Sequence, residues 1–307
     1  MPNWNQVLDE IGQHKASHSD QSKRAVDIVR RSYLQKLHQK TGRNVIAYYS
    51  GFLSKPEIPS EINDEDKNGF MMAVHDLDRT KGLDLIIHTP GGGISATQSI
   101  ADYLHQMFKK DIRAIVPQIA MSAGTMLACA CKSILMTKHS NLGPIDPHLR
   151  GIPAYGVINE FKRACKEIKK DPSRIPVWQQ IIGQYRPAFL SQCENAIRLS
   201  NAFVTSELRT VMFDGDADSL KKAQKIVKML SSYTLNKAHD RHLHAKECEA
   251  IGLKIERVEA DPDLQDLILT VHHCFMHSIM NTPAFKMIEN HKGVAFVKQQ
   301  AVVQVPH

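Results

Sequence analysis

Two short stretches of this 307-residue chain, Thr89-Pro-Gly-Gly-Gly93 and Met121-Ser-Ala-Gly-Thr125, combine residue types that could do chemistry. Each follows an apolar run, Leu83 to Ile87 in the first case and Ile119 to Met121 in the second. Glycines tolerate positive φ and let backbone N–H groups approach a substrate closely, which suits an oxyanion hole. A serine at the sharp start of a helix exposes its hydroxyl, with the following amide pointing the same way. Together they suggest acyl transfer through Ser122. Tight helix-sheet packing is the bland reading of the same small residues. No Gly-x-x-x-x-Gly-Lys-Ser/Thr phosphate loop and no Gly-x-Ser-x-Gly elbow occurs.

Such turns need strands to deliver them. Val45 to Tyr49, Leu83 to His88, Ile112 to Val116, Ser133 to Thr137 and Lys254 to Val258 read as strands. Helical periodicity marks the segments around Lys23 to Lys40, Phe70 to Leu77 and Ile100 to Phe108, and the Ser122 segment opens another helix. Alternation of this kind predicts crossover units and a largely parallel sheet, with ligands beyond the carboxyl ends of its strands. After Pro147 the pattern is helical over Val157 to Ile168, Ala188 to Met212 and Ser219 to Leu230, and a short helix ends at Gly252. No internal repeat or low-complexity linker appears. We expect one α/β domain over 43–260, with helical extensions over 1–42 and 261–307.

Composition removes several function classes. The net charge is +7, but basic residues are interspersed with acidic ones and cluster only in pairs such as Lys169-Lys170, so no nucleic-acid groove is expected. No 18-residue apolar run and no signal-peptide pattern occurs, which reads as a cytoplasmic protein without a membrane-spanning segment. Six cysteines without a Cys-x-x-Cys pair read as reduced thiols. His272-His-Cys-Phe-Met-His277 contains metal-ligand types but lies within the apolar period of Leu264, Leu267, Ile268, Val271 and Phe275, so a core-packed helix is expected there, and no metal or cofactor.

The ordered set Ile87 to Gly93, Ser95 to Leu104, Ile115 to Thr125 and Leu142-Gly-Pro-Ile-Asp-Pro147 resembles the serine dehydrogenase proteinase family, itself similar to signal peptide peptidase A within the Clp-protease/crotonase fold. The resemblance spans roughly 43–258. It implies a spiral of β-β-α units, serine peptidase activity on a peptide or protein, no cofactor, and assembly into a homo-oligomer. Carried over by residue, it makes Ser122 the nucleophile, and Gly92, beside Gly91, and Ala123 the donors of the oxyanion-hole amides. Asp240, opening Asp240-Arg-His-Leu-His244, falls on the Clp triad acid.

The pattern departs at the base. Asp146 stands where Clp protease has its histidine, and a carboxylate of ordinary pKa is a poor base for a serine hydroxyl. Signal peptide peptidase relatives use a lysine from the following helical region, which points to Lys162 or Lys166 if burial keeps the amine neutral. His239 and His242, flanking Asp240, are a further option, and His88 could reach the site from its strand end. All stay open at this level. A crotonase-like acyl-CoA enzyme, using the same paired amides, and a catalytically silent scaffold are the competing readings. With no ATPase segment recognisable, energy-dependent delivery would require a separate partner.

Overall fold

Continuous apolar runs such as Asn44–Ser50 and Leu83–His88 are buried along their whole length, as strands covered on both faces must be. The computed structural model describes residues 4–17, 25–232 and 240–300. Helices α1 (Trp4–Ser17) and α2 (Ala25–Thr41) come first. Then β1 (Asn44–Ser50), α3 (Asp66–Val74), β2 (Leu83–His88), α4 (Ile94–Phe108) and β3 (Ile112–Val116) alternate as expected. They are followed by β4 (Ile119–Ala120), α5 (Ala123–Cys129), β5 (Ser133–Met136) and β6 (Asn141–Leu142). A small hairpin, β7 (His148–Leu149) and β8 (Ile152–Pro153), leads to α6 (Ala154–Lys170), α7 (Ile175–Ile182), α8 (Phe189–Glu207), a π turn over Leu208–Met212, and α9 (Ser219–Leu230). The described chain closes with β9 (Leu243–His244), α10 (Ala245–Ile251), β10 (Ile255–Arg257), α11 (Pro262–Asn281), β11 (Ala284–Asn290) and β12 (Ala295–Gln299).

The main sheet has the order β10-β5-β3-β2-β1-β11-β12. Its first five strands are parallel, while β11 and β12 add antiparallel at the β1 edge. Side chains alternate between two cores. Ile46, Tyr48, Leu85 and Ile87 face the larger one with α3, α4, α5, α8 and α9, whereas Val45, Ala47, Tyr49 and Ile86 face α2 and α11. The histidine-rich stretch is the buried centre of α11, as its apolar period predicts. Helix α1 packs against α2 and Cys274 of α11, so the terminal helices cover the second face of the sheet.

The C-terminal segment differs in part from the helical extension expected of it: α11 is helical, but Ala284–Asn290 and Ala295–Gln299 are strands. Their charged members conceal the pattern: Lys286 and Glu289 are fully buried and paired, Lys286 Nζ with Asp66 Oδ1 at 2.9 Å and Glu289 with Arg30 and Arg31 at 2.5 and 2.7 Å. A second sheet of three two-residue strands, β4-β6-β9, stands beside the main one and carries the segments of interest.

Candidate active site

Beyond His88 the chain leaves the main sheet. Thr89 N–H donates to Ile119 O at 3.2 Å and Met121 N–H donates to Thr89 O at 3.0 Å, so the glycine turn starts alongside β4, two residues before Ser122. Gly91 and Gly92 have φ of 107° and 152°. A Cβ at Gly91 would lie 2.7 Å from Ser122 Cβ and 3.0 Å from the Ala123 nitrogen, so this turn touches the serine directly. On its other side Ile62 N–H donates to Gly91 O at 2.8 Å and Gly93 N–H donates to Ile62 O at 2.9 Å. Successive amides of an extended segment point to opposite edges, so the Gly92 N–H points away from Ile62.

Ser122 has φ 50° and ψ −115°, a conformation that L-residues rarely adopt and that costs about 1–3 kcal/mol. It is the N-cap of α5, yet its side chain does not cap the helix. The turn is held by Gly124 N–H to Met121 O at 2.7 Å and Met126 N–H to Ser122 O at 3.0 Å. Ala123, the first residue of α5, has an N–H with no intrahelical acceptor, as every helix start does. Strain, a half-buried hydroxyl that does not cap its helix and an adjacent amide without an intrahelical acceptor thus coincide among the described residues at this turn.

The small sheet gathers the remaining segments. Ala120 pairs with Leu142 in parallel and Leu142 with Leu243 antiparallel. Residues following Ala120, residues following Leu142 and residues preceding Leu243 therefore leave the sheet at the same end: Ser122, Gly143 to His148, and Asp240 to His242. Thr125 locks two of them together, donating from Oγ1 to Ala120 O at 2.8 Å and accepting from Gly143 N–H at 2.9 Å. Ile145 is tied to Leu230 O and to the Ser200 hydroxyl, and the adjacent Asp146 is 2% exposed. Its Oδ2 lies 3.3 Å from Nε2 of His148, a residue that sequence reasoning passed over.

A profile of the ClpP-like SDH-type serine proteinases matches residues 18–270. The chain belongs to this family. An uncharacterized protein of Methanocaldococcus jannaschii is 29% identical over 195 residues, 64% of this chain and 60% of that protein. A second uncharacterized protein of the same organism is 28% identical over 227 residues, covering 72% and 70% of the two chains. The ATP-dependent Clp protease proteolytic subunit 2 of Thermobifida fusca is 28% identical over 100 residues, 32% of this chain and 46% of that subunit. The chain thus spans under two thirds of the length of the first and third of these relatives.

The fold distributes the other candidates unevenly. Lys162 and Lys166 lie on the exposed side of α6, which packs through Ala154, Val157 and Ala164, so the chain does not supply the burial that a neutral lysine needs. His88 is fully buried between Tyr49, Phe52 and His272, on the α11 face of the sheet and opposite α5, and desolvation lowers its pKa to about 3. It does not line the Ser122 turn. Asp240 and His242 are exposed, and His239 lies outside the described residues. No described helix is long and apolar enough to cross a membrane.

Proposed function

We propose that this family member is a serine peptidase in which Ser122 forms the acyl-enzyme, the Gly92 and Ala123 amides bind the oxyanion, and His148, oriented by Asp146, is the base. The strained Ser122 turn carries the reading, because glycine would adopt that conformation without strain and a serine there adds only its hydroxyl. The Asp146–His148 pair sits on the segment locked to the serine turn through Thr125, with Asp146 at the position where the resemblance expects a histidine and His148 two residues beyond it.

In this mechanism His148 takes the Ser122 proton as Oγ attacks the scissile carbonyl, and returns it to the leaving amine when the C–N bond breaks. Water, deprotonated in turn by His148, releases the acid and restores the hydroxyl. The amides act on the oxyanion, where charge develops, and one such donor is typically worth roughly 3 kcal/mol. Asp240 approaches the same end of the small sheet and is the second carboxylate of the site.

The substrate is an unfolded peptide or protein segment. Copies of the chain are expected to assemble, and Ile152, Ile175 and Val177, exposed on the projection that contains α6 and α7, are the apolar side chains that assembly would cover. A fluorophosphonate probe tests the central claim. Labelling of the wild-type chain that disappears in Ser122→Ala supports it. Acyl-CoA turnover indifferent to Ser122→Ala would favour the crotonase-like reading, and folded protein inert to both would favour the silent scaffold.

A further inference from the structure

Away from the serine turn, Asp102 and His105 stand three residues apart on one face of α4 and meet Glu207, the last residue of α8 before the π turn. One ligand-type atom from each lies within 4.8 Å of the others. Glu207 is 8% exposed and its Oε2 has no hydrogen-bond partner among the described residues. A carboxylate oxygen in that position is costly unless a proton or a cation meets it.

The histidine is oriented toward it. His105 Nε2 lies 2.8 Å from Ala130 O, and a carbonyl only accepts, so Nε2 carries the hydrogen. In the neutral ring the lone pair is then on Nδ1, which faces Glu207 Oε2 at 3.6 Å. Two acceptors facing each other repel, yet that separation matches the edge of a tetrahedron with bonds of about 2.1 Å. A ring nitrogen fixed through its other N–H to a carbonyl is also how metal-bound histidines are held. Asp102 is exposed and gives access from solvent. Lys110, whose Nζ donates to Thr210 O at 3.1 Å, adds a positive charge near the cluster.

We propose that Asp102, His105 and Glu207 bind a divalent transition-metal ion, with Zn²⁺ and Mn²⁺ the ions that suit one imidazole and two carboxylates. The ion joins α4, which starts one residue after Gly93, to the end of α8, and so braces the helix behind the glycine turn.

Isothermal titration of the chelator-treated full chain with ZnCl₂ and with MnCl₂ tests this, with the thermal midpoint followed in parallel. The expected result is one saturable site per chain and a raised midpoint, with affinity lowered at least tenfold in His105→Gln and Glu207→Gln. His75→Gln, which alters an exposed histidine beside Asp76, should leave that site intact. Asp102→Asn, at the exposed rim, keeps the test open should the buried variants not fold, and it too should weaken binding at least tenfold. Failure of both ions to bind the wild type stoichiometrically overturns the proposal in favour of a proton shared by His105 and Glu207. Affinity unchanged in the folded ligand variants, or lost in His75→Gln, overturns it in favour of surface binding.

Discussion

The main chain of Ile62 closes over Gly92 so tightly that a Cβ there would stand 2.3 Å from the Ile62 nitrogen and 2.4 Å from its oxygen. These backbone atoms are fixed by bonds to Gly91 and Gly93, so Gly92→Ala must break the bridge rather than bend a side chain. We expect about 1–3 kcal/mol lower stability in urea, and fluorophosphonate labelling slowed about 100-fold or more. Gly93→Ala is the control: its Cβ would meet Ile62 O at an ordinary 3.5 Å, and its φ is −69°. Equal effects of the two substitutions would refute the role of the bridge.

Ser122 separates stability from function. Ser122→Gly relieves the turn, so it should raise stability by about 1 kcal/mol after the entropic cost of glycine, while labelling disappears. Ser122→Ala should lose labelling with little change in stability. A glycine variant that is less stable than the alanine variant would contradict the strain.

The base assignment is tested by comparing helix α6 with the small hairpin. His148→Gln and Asp146→Asn should each lower the acylation rate by about 10³–10⁴-fold without unfolding the chain. Lys162→Met and Lys166→Met, on an exposed surface, should acylate at the wild-type rate. Inactivation by either lysine change, with His148→Gln still active, would reverse the assignment.

Lys286 of β11 holds the segment that leads to Ile62. It is fully buried, with Nζ 2.9 and 3.0 Å from the Asp66 oxygens and 2.6 Å from Glu61 O; Asp66 also accepts from Tyr48 Oη and Asn63 N–H. This network anchors the loop that contains Ile62. Lys286→Met strands the Asp66 charge and should cost about 3–5 kcal/mol, measured by urea unfolding, with slower labelling as the Ile62 bridge loosens. A cost under 1 kcal/mol would show that the pair is dispensable.

His88 makes the fold acid-sensitive. Its folded pKa, about 3, lies below the ordinary 6.5, so below pH 6.5 the unfolded chain binds a proton that the folded chain refuses. Stability attributable to this residue is complete above pH 6.5 and declines as pH falls from 6.5 toward 3, by about 2 kcal/mol at pH 5. His88→Phe should remove that part of the decline between pH 7 and 5. An unchanged difference between those two pH values would place the acid sensitivity elsewhere.

Local chemistry made part of this protein readable in the sequence. The strands β1, β2, β3 and β5 are largely apolar runs bounded by turn residues, α11 follows its apolar period through three buried or half-buried histidines, and the turns at Gly91 and Ser122 rest on neighbouring residue types. Ser122 and the glycine turn were legible for that reason. Strands β11 and β12 were not, because Lys286 and Glu289 look solvated until Asp66 and Arg30, over 200 residues away, neutralise them. The two-residue strands of the small sheet are too short to show any period, so the common exit of Ser122, Asp146 and Asp240 was invisible. Only tertiary packing decided that Lys162 and Lys166 face solvent, that His88 lies across the sheet, that Ile62 grips Gly92, and that Glu207 meets Asp102 and His105. A sequence specifies side chains and their local spacing, whereas burial and partnership depend on which distant segments the fold brings to them.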